Sequence, residues 1–162
     1  MLVVIDIKNI YKQTFKAIKN DTKLLDLLEV EYKNVDENTF LTNLRKQITE
    51  TSAPERLLDD YKTRLCIHER TGSYYNNYEE VGFLVVDIHV AKDKNTRTGI
   101  MSDVIKRVIE VLDTRQRKKE GLPQLDIGLY GLSYNTRMFN EGRTNNTGWE
   151  KYSIVFEYRY LL

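Results

Sequence analysis

A chain of 162 residues, 41% of them hydrophobic, is long enough to bury a core without metals or disulfides to staple it. Its 25 Lys and Arg stand against 24 Asp and Glu, and the resulting net charge of +1 argues against a dedicated nucleic-acid binder. A lone cysteine, Cys66, excludes an internal disulfide and fits a reducing compartment, and no window approaches the roughly 18 apolar residues of a membrane span.

The opening MLVVIDI is apolar over too short a run for a signal peptide and has no basic stretch before it, so a cytoplasmic protein, or one assembled in the cytoplasm, is expected. Asp6 can cap a first helix whose Ile7, Ile10, Tyr11, Phe15 and Ile18 form one stripe, with Lys8, Lys12, Lys16 and Lys19 opposite. Asp21 can cap a short second helix carrying Leu24, Leu25, Leu27 and Leu28. Glu29–Lys33 reads equally as a helix end or a short strand. A third helix starts at Asp36–Asn38, with Phe40, Leu41, Leu44 and Ile48 at helical spacing. Ser52-Ala53-Pro54-Glu55 has the spacing of a capping box and introduces a short helix or loop through Tyr61. Residues 1–61 are thus a helical N-terminal part, and 62–162 a sheet with a central helix, within one domain.

Thr63–Arg70 alternates, with Leu65 and Ile67 on one side and Cys66 and His68 on the other. Thr71–Glu80 is a polar, tyrosine-rich loop. The strand Val81–Val90 follows, with Leu84, Val86, Ile88 and Val90 on one face and Phe83, Val85, Asp87 and His89 on the other. After a short polar crossover comes a helix, Thr98–Asp113. Ile100, Met101, Val104, Ile105, Val108, Ile109, Val111 and Leu112 fill one half of its wheel; Ser102, Asp103, Lys106, Arg107, Glu110 and Asp113 fill the other. Arg115, Arg117, Lys118 and Lys119 then read as a solvated helix end or a patch facing an acidic partner. Leu125–Phe139 reads as a strand interrupted by Gly128 and Gly131, which mark a bulge or a close backbone approach. Asn140–Gly148 is a turn, and Trp149–Leu161 is the last strand, with Tyr152, Ile154, Phe156, Tyr158 and Tyr160 on one face. The fold class is α+β: an antiparallel sheet of about four strands in β-β-α-β-β order, helices on one face, and a helical N-terminal third.

Chemistry is sparse. His68, Asp87 and His89 share a sheet face and have the residue types of a metal site or an acid–base pair, so a small metal-dependent enzyme is one reading; solvated or satisfied residues of a polar sheet face are the other. No phosphate loop, nucleophile elbow, HExxH or CxxC occurs. The 11 tyrosines stand out, because tyrosine is enriched where surfaces become buried against partners.

The strand FLVVDIHV, the helix IMSDVIKRVIEVL and the closing hairpin GLYGLSYNTRMFNEG…WEKYSIVFEYRY follow a helical N-terminal third. This layout resembles the tail-terminator and related tail-completion proteins at the head–tail junction of long-tailed bacteriophages, from about Thr63 to the C-terminus. The resemblance implies a virion structural protein of the neck, assembled in the host cytoplasm, with no catalytic residue, cofactor or metal. It implies a homo-hexameric ring that caps the tail-tube protein and joins it to the head–tail connector or stopper protein. It implies no membrane and no sequence-specific nucleic acid, though DNA can pass through the ring. Candidate partner contacts are Tyr74, Tyr75, Tyr78, Phe83, Arg137, Arg143 and Trp149. The loops Thr71–Glu80 and Asn140–Gly148, longer than plain hairpins need, are expected to order only against partners, and Phe83 and Val85 are expected to leave the second sheet face partly apolar and exposed.

Overall fold

A computed structural model of the protein describes residues 7–51, 60–74, 78–143 and 148–161. Helix α1 (Ile7–Lys19) buries Ile10 and Ile18, together with Thr14, along its apolar stripe. Asp21 caps α2 (Thr22–Leu27), accepting from the Leu24 amide at 2.8 Å, and Leu24, Leu25 and Leu28 are fully buried. Asp36 caps α3 (Glu37–Gln47) through the Thr39 amide at 3.0 Å. Both caps fall where acidic residues precede an apolar run, and each satisfies an amide that the first helical turn leaves open. Glu29–Lys33 is neither helix nor strand: Glu29 turns the chain at φ 56°. The proposed Asp6 cap and the Ser52–Glu55 box lie outside the described residues.

Ile48 leaves the helical pattern. With Thr49 it forms β1 (Ile48–Thr49), pairing parallel to β2 (Arg64–Tyr74) at Ile48↔Leu65. Gln47 holds this corner, its side-chain amide donating to the carbonyls of Leu28 and, at 3.3 Å, of Thr63. Strand β2 runs antiparallel to β3 (Glu79–Ala91), β3 to β5 (Trp149–Leu161), and β5 to β4 (Ser133–Arg143). Among the described residues the sheet therefore has five strands, ordered β1-β2-β3-β5-β4, and is antiparallel except at β1.

One sheet face meets the helices. Leu65, Ile67, Leu84, Val86, Ile88, Val90, Ile154 and Phe156 form a continuous core with residues of α1, α2 and the central helix α5 (Ile100–Leu112). Tyr158 lies across Gly82, its cross-strand partner, and a Cβ at Gly82 would run into the tyrosine ring. That explains a glycine in a strand whose other positions favour β-branched residues.

The crossover after β3 contains a short helix, α4 (Lys92–Thr98), ended by Gly99 at φ 65°. The central helix therefore begins at Ile100 and not at Thr98, with the Met101 amide donating to Asn95 Oδ1 at 3.0 Å. Met101, Val104, Val108, Val111 and Leu112 are buried. So is Arg107, which the wheel assigns to the solvent half. Asp113 ends this helix and caps α6 (Thr114–Lys119), and its other oxygen accepts from the Tyr134 amide at 2.8 Å, tying the helix end to β4.

Residues 125–132 form turns, not the expected strand. Gly128 and Gly131 both have positive φ, and the Leu129 amide donates to the Arg159 carbonyl at 2.7 Å. A Cβ at Gly128 would strike that carbonyl, so the close backbone approach expected there is real although the strand is not.

Both long loops are also corrected. Strand β2 continues to Tyr74, paired with Glu80, and β4 continues to Arg143, paired with Glu150. Only residues 75–78 and 144–148 remain between the paired strands, the length of ordinary hairpin turns.

Candidate functional site

The second sheet face brings His68, Asp87 and His89 onto one side. Cys66 stands opposite Asp87, and Arg64 opposite His89. Asp87 is buried between three strands. Its Oδ2 lies 2.8 Å from His68 Nε2, and its Oδ1 accepts from the Ser153 hydroxyl, which stands directly across on β5. Lys151 Nζ is 4.0 Å from the same carboxyl. The carboxyl thus sits in the middle of the chain Ser153–Asp87–His68. A nucleophilic triad needs the imidazole in the middle, where it can take the hydroxyl proton, so this order ties three strands together and does not activate Ser153.

His89 does not join them. It is 2% exposed, and both ring nitrogens lack a hydrogen-bond partner among the described residues. No group of three or more His, Cys, Asp or Glu among the described residues is arranged to hold a metal ion. Cys66 is likewise withdrawn from chemistry: burial pushes its thiol up to about 11, partly offset by Thr49 Oγ1 at 3.4 Å. A thiol held that high supplies negligible thiolate at neutral pH.

Burial, opposed by the Asp87 charge and helped by Lys151, lowers the His89 pKa to about 4. The unfolded chain, titrating near 6.5, binds the extra proton first. Stability from neutral His89 is therefore complete above about pH 6.5 and is lost as pH falls toward 4, by on the order of 3 kcal/mol at most. His89→Leu removes that slope and does not lower stability at pH 7, since it replaces a buried polar ring that has no partner. Denaturant melts at several pH values test this. A titration near 6.5 assigned to the His89 ring in the folded protein, read by NMR, would refute it.

The second face is not the exposed apolar surface expected of it. Val85 is buried between His68 and Val155, and Phe83 is half-buried. The predicted contact residues fall at different places. Tyr74 and Tyr78 flank the β2–β3 turn, with Tyr78 76% exposed, and Tyr75 lies outside the described residues. Arg143 and Trp149 flank the β4–β5 turn at the other end of the sheet, because β5 starts beside Ala91 and finishes beside Glu79. Thirteen residues of β5 separate the two ends, about 40 Å of extended chain. Trp149 is buried, stacked on the exposed Tyr61 ring at a centroid distance of 6.3 Å. Arg137 is exposed on β4, inside the irregular stretch between Tyr134 and Phe139.

Arg117 leaves the proposed basic patch. It is buried and donates to the carbonyls of Val111 at 2.7 Å and Pro123 at 2.8 Å, closing the end of the central helix. Sequence reasoning also missed an open cleft of about 930 Å³ between α1, α3 and β1. The four lysines on one side of α1 are its legible signal, but nothing in the sequence sets them opposite α3.

No protein-family model matches the sequence, and no curated protein matches it. Among solved structures, the chain is similar to one in the "virion of native gene transfer agent (GTA) particle". Identity is 12%, the TM-score is 0.54, and the match covers 92% of this chain and 92% of that one. At that identity the likeness shows the fold alone, and it extends over nearly the whole length of both chains.

Proposed function

We propose that the protein is a structural component of a phage or phage-like virion. The observation that carries this reading is the fold shared over 92% of both chains with a component of a gene transfer agent particle. Within that reading, the finer role is a ring subunit at the head–tail junction, most specifically the tail terminator. Six copies would cap the tail-tube protein on one side and meet the head connector or stopper on the other.

The two turn regions at opposite ends of the sheet suit a subunit with different neighbours above and below. Tyr74 and Tyr78 belong to one end, Arg143 and Trp149 to the other; Tyr61, stacked on Trp149, presents an exposed aromatic face there. Exposed aromatics and arginines are the residue types that anchor such contacts. Arg137 on β4 and Phe83 on the second sheet face are lateral candidates for the neighbouring copy. In this reading the Ser153–Asp87–His68 chain braces the sheet and performs no reaction.

Antibody labelling of purified particles tests the reading at both levels. Label at the head–tail junction, with six-fold rings in class-averaged images of the isolated ring, is the expected result. Label elsewhere on the particle would overturn the terminator role alone. Absence of the protein from particles would overturn the virion role.

A further inference from the structure

The edge of the sheet at β1, where it meets α1 and α3, carries a second surface, separate from the β2–β3 and β4–β5 turns. The cleft between α1, α3 and β1 has an apolar floor of Tyr11, Phe15, Leu41 and Ile48. Its rim is basic: Lys8, Lys12 and Lys16 stand one helical turn apart along α1, and Arg45 faces them from α3. All four cations are exposed, and none makes an ion pair among the described residues. Lys19 at the end of the row differs, because it bonds Glu37 at 3.1 Å and lies over the Phe40 ring. Glu50 is the one carboxylate among the cleft's lining residues.

Like charges spaced four residues apart on a helix repel one another. Here Lys8, Lys12 and Lys16 repeat that spacing with no ion pair among the described residues, and Glu50 is a single carboxylate set against four unpaired cations. The surrounding protein is nearly neutral, so the cations are a local feature of this cleft. A bare polyanion would neutralise the rim and leave the apolar floor wet. An acidic segment that also bears apolar side chains satisfies both, with carboxylates on the lysine row and apolar groups against Tyr11, Phe15 and Leu41.

We propose that this cleft is a docking site for an acidic, apolar-bearing segment of a partner protein. The test uses the full chain and short labelled synthetic peptides. One alternates glutamate with leucine, one alternates glutamate with serine, and one alternates lysine with leucine; duplex DNA is a fourth probe. The glutamate–leucine peptide should bind saturably, at least about tenfold tighter than any other probe, and shift the amide signals of Tyr11, Phe15 and Leu41. The double variant Lys12→Glu/Lys16→Glu should weaken that binding by at least about tenfold. Both positions are exposed, so the variant should melt like the wild type. Equal or tighter binding of DNA or the glutamate–serine peptide would mean a simple polyanion site and overturn the proposal. Binding unchanged in the double variant, or no saturable binding, would overturn it too. Neither result bears on the virion reading, which rests on the shared fold.

Discussion

Val108→Asp should destabilise the protein by at least roughly 3 kcal/mol. Val108 is fully buried on the central helix, among Val104, Val111 and Leu112 and facing the apolar side of the sheet. An aspartate there loses the apolar packing and places a carboxyl where no donor waits for it. Lys106→Ala, two residues away on the exposed side, should change stability by less than about 0.5 kcal/mol. For a chain of this length, thermal unfolding should fall by roughly 6–12 °C for the first substitution and hardly move for the second. The reverse ranking would mean that the helix is rotated from the orientation described here.

That orientation was legible because the apolar half of the helix is unbroken and the sheet face it meets alternates cleanly. The same holds for β5, where Ile154, Phe156 and Tyr158 face the helices and Ser153 and Val155 face away. Where the core stops, the reading stops with it. Residues 71–74 and 140–143 extend their strands with the polar sequences Thr-Gly-Ser-Tyr and Asn-Glu-Gly-Arg, which carry no apolar alternation and resemble loops. The opposite error occurs at Leu125 and Ile127, which are buried two apart as in a strand but sit in turns set by Gly128 and Gly131. Strand β1 is two residues long and continues a helical pattern, so it has no periodicity of its own. The polar face was half-legible: alternation puts His68, Asp87 and His89 on one side, but only the register decides that Asp87 bonds His68 and Ser153 and leaves His89 alone.

Arg107 is a residue that periodicity misplaces, and its replacement should show why. Its Nε and Nη2 hold the two oxygens of Asp21 at 3.0 and 2.5 Å, and its Nη1 reaches Glu110 at 2.8 Å and Glu120 at 2.9 Å. Asp21 is 86 positions distant in sequence and caps α2, so one guanidinium ties that cap to the central helix and to the end of α6. Arg107→Met keeps the packing of the stem but leaves three carboxyls facing one another. It should cost about 3 kcal/mol at pH 7, the scale of breaking a buried ion pair from one side. Burial acts to raise the Asp21 pKa, but the hydrogen bonds from Arg107 and the Leu24 amide, with the Arg107 charge, hold it below the usual range. A depressed carboxyl contributes stability that is present above its unfolded pKa, near 4, and is lost as pH falls through the lower folded value. Wild-type protein should therefore lose stability below about pH 4 from this group, and Arg107→Met should lose less of it there, because the arginine that depresses the pKa is gone. Adding Asp21→Asn to Arg107→Met should recover part of the loss, since the amide keeps an oxygen for the Leu24 amide and removes one unpaired charge. Denaturant melts of the two single variants and the double variant give the coupling directly. Additive losses in that cycle, or a loss under about 1 kcal/mol for Arg107→Met, would show that the pair is a solvated surface contact after all.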